Sequence, residues 1–427
     1  MKIKTNPSAK EIYFWNLLGN LAASGVSVLY LLIVTRLTSA KVADQFSLAN
    51  SIGTLWIVIG LFQVRNYQGT DVSQKHSFIG YFQTRLITIL AMLVTLYPYL
   101  YIIGEGRYSF ETILLTFLMI FYRMWDAVSD LFQGLFQQRE RMDIAGKTMF
   151  YRYSTSAVIL FLSILLSKSV IVGLFSLVIW NGLVIIFYET SFLKYFETIH
   201  WKELFSSNYK KDIKDIFLAC WPLFVNGFIL LYILNEPKII IEKGLNQGVL
   251  QTGMQRDFNI LFMPVFFMSL IILMVRPLIT QMAILWNREK YAEFSLIVKK
   301  LLFYLFIGGI AITIVVYFIG TPILSLVFGV ALSQYTLPFA ILIFAGVLYA
   351  LAIVFENILT IIRKQHLLVG LYIVLLVITK LVTELFIYRY HMFGAALSFL
   401  IVMTAYLVGI FGIYMVVGRR KGNKDEI

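Results

Sequence analysis

Long apolar runs constrain the fold of this chain more than any other feature. Six runs, each about 18–25 residues long, fill the first half, and six more fill the second half. A helix of that length spans the hydrocarbon layer of a bilayer, because each residue adds about 1.5 Å. The predicted spans are residues 12–34, 46–62, 82–103, 112–132, 149–166, 169–188, 216–234, 258–275, 301–319, 337–362, 367–388 and 394–417.

The composition supports the same interpretation. Apolar residues make up 59% of the 427 residues and charged residues only 14%, whereas soluble domains have about 45–50% and about 25%. One globular core cannot bury such an excess, so much of it must face lipid. We therefore predict an all-α integral membrane protein with about twelve transmembrane helices in two six-helix lobes.

The longest interval without a membrane-grade apolar run is residues 189–215, which contains five lysines. We interpret it as a cytoplasmic connector. It would join an N-terminal six-helix lobe, residues 1–188, to a C-terminal six-helix lobe, residues 216–427.

The formal net charge of +13 would raise the question of nucleic acid binding in a soluble protein. Here lysine and arginine are roughly three times as frequent in the segments assigned to the inside as in the outer loops. This bias predicts that both termini are cytoplasmic, and no nucleic acid partner is expected. The basic N-terminus precedes a run too long for a signal peptide, so we expect a retained first helix.

The two halves resemble each other weakly. The sequence after the second span reads Val64-Arg65-Asn66, and the sequence after the eighth reads Val275-Arg276-Pro277. An even number of spans separates the two copies. A duplication would therefore give parallel repeats, which commonly rock around a site near the bilayer midplane.

The fourth span carries three charged residues, Arg123, Asp126 and Asp130, at spacing i, i+3, i+7. This spacing places them on one face of a helix. A charge at membrane depth costs about 2.5–3.5 kcal/mol, so it usually faces the protein interior and has a partner. The three could line a cavity that binds a charged substrate or exchanges an ion. Alternatively, they form an internal ion pair that locks helix packing.

Two later spans also carry charges. Lys380 and Glu384 are spaced i, i+4 in the eleventh span, and we predict that they form a structural ion pair. Glu356 in the tenth span has no base nearby in sequence. It is a candidate for a protonatable coupling group, with a hydrogen-bonded role inside the bundle as the alternative.

Basic and polar residues recur near the ends of other spans. Arg36 ends the first span, Asn235 and Lys238 follow the seventh, and Arg256 precedes the eighth. Together they could form an outward-facing basic mouth. The alternative is ordinary snorkelling of long side chains to the interface.

Signals of an enzyme are weak. Gly146-Lys147-Thr148 resembles the end of a phosphate loop, but Arg141 stands where the first glycine belongs. The four histidines are scattered, so no metal site is predicted. We expect no catalytic residues and no enzymatic activity.

Six short stretches follow one another along the chain: 33–39 (IVTRLTS), 46–49 (FSLA), 62–71 (FQVRNYQGTD), 235–238 (NEPK), 258–264 (FNILFMP) and 276–278 (RPL). In this order and spacing they resemble the polysaccharide flippases, for O-antigen or capsule repeat units, of the multidrug/oligosaccharidyl-lipid/polysaccharide (MOP) exporter superfamily. The resemblance covers nearly the whole chain. One departure is Asp44, where many members have glycine.

The resemblance implies a function. Such proteins move undecaprenyl-diphosphate-linked oligosaccharides from the inner to the outer leaflet of the bacterial cytoplasmic membrane by alternating access. The implied partners are the lipid-linked substrate, membrane lipids, and a polysaccharide polymerase with its export machinery. No cofactor is implied, although a proton or sodium gradient could drive the cycle.

The same resemblance assigns roles to the residues above. Asp126, Asp130 and Glu356 become candidates for ion coupling. The candidates for contact with diphosphate or acidic sugar are Arg36, Arg65, Arg123, Asn235, Lys238, Arg256 and Arg276.

Other functions remain open. A cation-coupled multidrug exporter or a lipid II exporter of the same superfamily would have the same fold. A membrane polymerase or glycosyltransferase would need a sizeable extracytoplasmic loop, and no predicted outer loop provides one.

Overall fold

The computed structural model describes residues 7–69, 71, 75–197, 209–362 and 364–422. Within these helices and loops it describes no side chains for residues 266–277, 279, 280, 283, 287, 365 and 418–422. The described residues form helices and loops and contain no β-strand. The first helices are α1 (Ala9–Leu37), α2 (Ala40–Leu61), α3 (Val64–Gln68), α4 (Phe78–Ile103), α5 (Phe110–Gln138), α6 (Met142–Ser167), α7 (Val170–Leu183), a π-helix (Val184–Glu189) and α8 (Thr190–Leu193).

Five longer helices follow. They are α9 (Lys210–Asn246), α10 (Met254–Asn287), α11 (Tyr291–Phe328), α12 (Thr336–Ile361) and α13 (Leu368–Gly422), with short 3₁₀ turns at Ser333–Tyr335 and Gln365–Leu367. In α13, His391 has non-helical dihedrals (φ 50°, ψ −126°), so α13 is two helices joined at a kink. Among the described residues this gives twelve long helical segments when α7, the π-helix and α8 are counted as one.

The predicted fold class is confirmed. Ten of the helices, with α13 counted once and α10 left out, are long and apolar enough to cross a membrane by length and composition. The chain is a multi-pass membrane protein. Every predicted span overlaps one of the helices, but most helices extend further at one or both ends. The apolar criterion stops at the first polar residues, whereas the backbone continues to a capping residue.

Serine caps explain where several helices begin. Ser39 precedes α2, Ser77 precedes α4 and Ser109 precedes α5, and in each case the serine side chain accepts a hydrogen bond from a backbone N–H of the first turn. Such a cap satisfies a donor that has no partner inside the helix. The cap therefore stabilises the first turn of each helix at the position where the helix begins.

The described chain divides into two compact units, Met1–Phe228 and Ile229–Ile427. The boundary falls inside α9. The predicted lobes 1–188 and 216–427 remain a prediction, and residues 198–208 of the predicted connector lie outside the described residues.

In the first unit, α5 is the central helix and packs against α2, α4, α6 and α7. The backbones of α1 and α6 approach each other closely. A Cβ on Gly19 would stand 2.5 Å from the carbonyl oxygen of Gly146, and a Cβ on Gly146 would stand 2.1 Å from that of Trp15. Only glycine lets the two backbones approach this closely.

Within the first unit, a carboxylate holds the start of α9 against the beginning of α4. Asp212 accepts hydrogen bonds from the backbone N–H and the hydroxyl of Ser77, both at 3.3 Å. Its other oxygen lies 3.3 Å from Nδ1 of the buried His76, whose Nε2 lies 3.3 Å from the hydroxyl of Tyr67. These contacts join the first turn of α9 to the beginning of α4.

In the second unit, α12 takes the central place. It packs against α10, α11 and α13, and most of its residues are buried, including Phe339, Ala345 and Phe355. An apolar helix buried on nearly all sides is typical of the middle of a membrane bundle.

Candidate functional site

The first unit contains a connected group of charged side chains around one face of α5. Seven residues form it, and we call it the arginine network: Arg65, Arg85, Arg123, Arg152, Asp126, Asp130 and Glu189. The predicted arrangement of Arg123, Asp126 and Asp130 on one helix face is its central row.

Asp126 lies between two arginines. Its Oδ2 accepts from Nη1 of Arg123 at 3.1 Å, and its Oδ1 accepts from Nη1 of Arg152 at 2.6 Å. The hydroxyl of Tyr153 donates to the same Oδ1 at 3.0 Å. Arg123 also donates from Nη2 to the side-chain oxygen of Asn50 on α2, at 3.1 Å. The contacts of Asp126 therefore connect α2, α5 and α6.

Asp130 also lies between two arginines. Its Oδ2 accepts from Nη2 of Arg85 at 2.7 Å, and Nη1 of Arg65 lies 3.4 Å from its Oδ1. Arg85 uses its other terminal nitrogen to donate to the carbonyl oxygen of Gly60 at 2.5 Å. Arg65 donates to Oε1 of Gln133 at 2.5 Å. Because a guanidinium presents several donors in a plane, each arginine can hold two acceptors at once.

Glu189 closes the network between these two groups. Its Oε1 accepts from the hydroxyl of Ser129 at 2.9 Å and lies 3.5 Å from Nε of Arg152. The same Ser129 hydroxyl accepts from Nε2 of Gln133 at 3.1 Å. A chain of polar contacts thus runs along α5 from Gln133, the partner of Arg65, to Arg152, the partner of Asp126.

The network has one formal positive charge in excess, since it contains four guanidinium and three carboxylate groups. Its arginines differ in accessibility. The side chains of Arg85 and Arg152 are 2% and 0% exposed, whereas those of Arg65 and Arg123 are 24% and 11% exposed. Arg65 and Arg123 are therefore the groups through which the network can meet an anion.

Three of the seven residues, Arg85, Arg152 and Glu189, were not predicted as site residues. Arg85 lies inside the predicted third span. Arg152 lies inside the predicted fifth span, and a base within an apolar run is a signal that could have found it. Glu189 stands at the first position of the predicted connector, where a charged residue is expected on other grounds. In the structure Glu189 is the last residue of the π-helix and is fully buried.

In the second unit, the predicted ion pair between Lys380 and Glu384 is wrong. Lys380 donates to Oε1 of Glu236 at 2.8 Å and to the hydroxyl of Tyr232 at 2.5 Å, whereas Glu384 accepts from Lys243 at 2.9 Å. The i, i+4 spacing permits a pair within α13. Carboxylate and ammonium groups on α9 compete with it successfully.

Glu356 lies among tyrosines. Its Oε2 accepts from the hydroxyl of Tyr406 at 3.1 Å, and this hydroxyl lies 3.3 Å from that of Tyr372. The predicted alternative of hydrogen bonding inside the bundle is therefore observed. A role in ion coupling remains a prediction for Glu356, as it does for Asp126 and Asp130.

The remaining candidates are spread over both units. Arg36 is exposed in the last turn of α1, and the side chain of Arg276 lies outside the described residues. In the second unit, Asn235 is buried and donates to the carbonyl oxygen of Leu231 at 2.8 Å. Nζ of Lys238 lies 5.0 Å from the ring centre of Phe262, and Arg256 donates to its neighbour Asp257 at 2.7–2.8 Å.

Among the described residues, no group of three or more His, Cys, Asp or Glu side chains could hold a metal ion. The network therefore consists of charged and hydrogen-bonding groups alone. It could bind an anion at its accessible arginines. The anion would then replace some of the carboxylate and amide oxygens that these arginines contact inside the protein.

No protein-family model matches the chain. A curated protein, "Capsular polysaccharide biosynthesis protein CapF" of Staphylococcus aureus, is 22% identical over 398 residues, which cover 92% of this chain and 96% of that protein. The similarity thus extends over almost the full length of both chains.

Two kinds of solved structure share the fold. An inward-facing MATE multidrug resistance transporter of the MOP superfamily superposes with a TM-score of 0.70 at 13% identity, over 95% of this chain and 96% of that one. The lipid II flippase MurJ, in an inward closed conformation, gives a TM-score of 0.66 at 15% identity, over 93% of this chain and 87% of that one. The chain has the fold of these transporters, in agreement with the expected MOP-like architecture.

Proposed function

We propose that this protein is a flippase of the bacterial cytoplasmic membrane, which moves undecaprenyl-diphosphate-linked oligosaccharide units to the outer leaflet for capsule or another surface polysaccharide. The observation that carries the proposal is the arginine network, with its excess of positive charge and two accessible guanidiniums. The MOP-like fold and the similarity to a capsular polysaccharide biosynthesis protein support it.

The chemistry of the substrate fits such a network. A diphosphate is an anion that hydrocarbon does not solvate, and arginine binds phosphate oxygens through two parallel N–H donors. The polyprenyl chain can remain in lipid while the charged group moves. Arg65 and Arg123 would provide the contacts to diphosphate or acidic sugar, and the buried Arg85 and Arg152 would support them.

Other candidate residues would act at different stages of alternating access. Arg36, Asn235, Lys238, Arg256 and Arg276 remain proposed contacts for the diphosphate or the sugar. A polymerase and export proteins would take up the unit after it has crossed.

The test is a deletion strain complemented with single variants. Arg65→Gln and Arg123→Gln should each lower surface polymer and leave lipid-linked precursor in the inner leaflet, at normal protein level. Arg107→Gln is the matched control, because Arg107 is exposed and lies outside the network. Unchanged export in both network variants would contradict the proposal.

Export of lipid II is a second candidate, favoured by the fold shared with the lipid II flippase. In that case the deletion strain should stop making peptidoglycan and cease to grow. A viable deletion strain without surface polymer would favour the oligosaccharide. Normal polymer with altered drug sensitivity would favour a multidrug exporter.

We propose Glu356 as the residue that couples transport to a proton or sodium gradient. Asp126 and Asp130 each have two guanidinium partners, whereas the described contacts of Glu356 are tyrosine hydroxyls. Glu356→Gln should give transport in vesicles that no longer responds to an imposed ion gradient. If the variant keeps the full response, Asp126 and Asp130 become the next residues to test.

A further inference from the structure

Glu189 occupies an unusual position in the arginine network. It is fully buried, and its Oε2 has no hydrogen-bond partner. Its contact with Nε of Arg152, at 3.5 Å, is electrostatic rather than a hydrogen bond. A buried carboxylate that is only half satisfied costs free energy, so packing stability alone does not explain it.

The backbone is adapted to bring Glu189 into the network. Between α7 and α8 the chain forms a π-helix, Val184–Glu189, which ends at this residue. A π-helix adds a residue to a helical turn, and such turns occur frequently at functional sites. In a continuous α-helix, one residue less would rotate the side chain by about 100°. The irregular turn therefore determines which way Glu189 points.

Glu189 differs from the other two carboxylates in its partners. Asp126 and Asp130 each contact an accessible arginine, whereas Glu189 contacts the buried Arg152. It holds no accessible guanidinium directly. Its effects on an anion at Arg123 or Arg65 are its charge and its competition with Asp126 for Arg152.

The charge matters because a transporter must release what it binds. Binding that is too strong slows exit in the same way that weak binding slows entry. With Glu189 the network has one excess positive charge, and without it there would be two. Arg152 would then also have Asp126 as its only carboxylate partner, which would weaken the hold of Asp126 on Arg123.

We infer that Glu189 is a positioning residue that limits the affinity of the arginine network for its anion, so that the diphosphate is released. It acts through Arg152 and Asp126 and does not touch the substrate. The inference rests on the proposed function, because it assumes that the anion binds at Arg65 and Arg123.

The test compares Glu189→Gln with the wild-type protein in purified form, with undecaprenyl diphosphate as the probe. The glutamine keeps an acceptor for Ser129 and removes one negative charge. We expect about tenfold tighter binding of the probe, equal to about 1.4 kcal/mol. In vesicles, the KM for the lipid-linked substrate and the maximal rate should both fall.

Glu197→Gln is the matched control. Glu197 also lies in the predicted connector, residues 189–215, and it pairs with Arg139 at 2.8 Å, outside the network. The substitution Glu197→Gln removes the same charge from the protein and should leave the affinity for undecaprenyl diphosphate within about twofold of wild type. If Glu189 had a merely structural role, Glu189→Gln would lower the thermal stability, and the protein that remains folded would bind undecaprenyl diphosphate no more tightly than wild type.

The outcomes separate the two proposals. If the wild-type protein does not bind undecaprenyl diphosphate, the proposed function fails. If it binds and Glu189→Gln binds equally or more weakly, the inference about Glu189 is overturned. Should Glu189→Gln not accumulate, the double variant Arg152→Gln/Glu189→Gln keeps one excess charge and should bind within about threefold of wild type. A tenfold change in either direction would overturn the inference.

Discussion

The two units of this protein pair their charged side chains in different ways. In the first unit, arginines share carboxylates, so that Asp126 and Asp130 each have two guanidinium partners. In the second unit, two lysines each pair with a carboxylate across α9 and α13, Lys380 with Glu236 and Lys243 with Glu384. The first arrangement connects four elements of the bundle, and the second connects only α9 and α13.

The difference follows from the chemistry of the two cations. A guanidinium is planar and holds several acceptors in fixed directions, whereas an ammonium group is a point charge on a flexible stem. In a shared arginine network, the loss of one member also affects the contacts of the others. Separate lysine pairs can be lost one at a time. We therefore expect the first unit to respond to single substitutions more strongly than the second.

The largest effect is expected for Arg152→Gln. It leaves Asp126 and Glu189 buried without their common cation, and breaking a buried pair in this way costs about 3–5 kcal/mol. The melting temperature of the purified protein should fall accordingly. Arg36→Gln, at an exposed position, serves as the control and should leave it nearly unchanged. A loss below about 1 kcal/mol would mean that the network does not stabilise the first unit.

The second effect distinguishes the two lysine pairs. Lys380→Met leaves Glu236, which is 1% exposed, without its cation, and should cost about 2 kcal/mol. Lys243→Met leaves Glu384, which is 42% exposed, and should cost less than about 1 kcal/mol. Thermal unfolding of the two variants side by side measures the difference. Equal losses would show that burial of the carboxylate does not decide the cost.

A smaller effect tests whether arginine and lysine are interchangeable. Arg85 donates to both Asp130 and the carbonyl oxygen of Gly60, so Arg85→Lys should lose one of these bonds and about 1–2 kcal/mol. Lys380→Arg should stay within about 0.5 kcal/mol of wild type, since its side chain is half exposed. If both substitutions are tolerated equally, the comparison between the units loses its chemical basis.

The smallest effect concerns the beginning of α9. Asp212→Asn weakens the contacts of this residue with Ser77 and His76, at a cost of about 1 kcal/mol. Faster hydrogen exchange at the first turn of α4 should report it. Asp215→Asn, one turn further along the same helix, is the control and should leave that exchange unchanged.

Much of the fold could be predicted from the sequence, because the apolar runs are long and their spacing is regular. The ends of the helices could not. The helix that carries Arg65, α3, lies between two predicted spans. Helix α6 begins at Met142, well before the apolar run from which it was predicted. Polar residues in the end turns of a helix lower the local hydropathy, so a hydropathy criterion stops before the capping residue.

Apart from Arg65, which the family resemblance indicated, the candidate site could be predicted only where its members share one helix. Arg123, Asp126 and Asp130 were found by their spacing along α5. Partners on other helices were not found, because spacing along one segment says nothing about its neighbours. The predicted ion pair between Lys380 and Glu384 was wrong for that reason, since each of the two residues has a partner on α9. Glu189 depends on a π-helix, for which the sequence offered no signal.

The close approach of Gly19 to Gly146 has a consequence for the order in which the protein is made. α1 packs mainly against α6 and only slightly against α2, its neighbour in sequence. The ribosome must therefore synthesise the chain past Met142 before the glycine face of α1 is covered. The first helix to enter the membrane completes its packing only when the fifth long helix arrives, so chains that stop before α6 leave that face open to lipid and to membrane proteases.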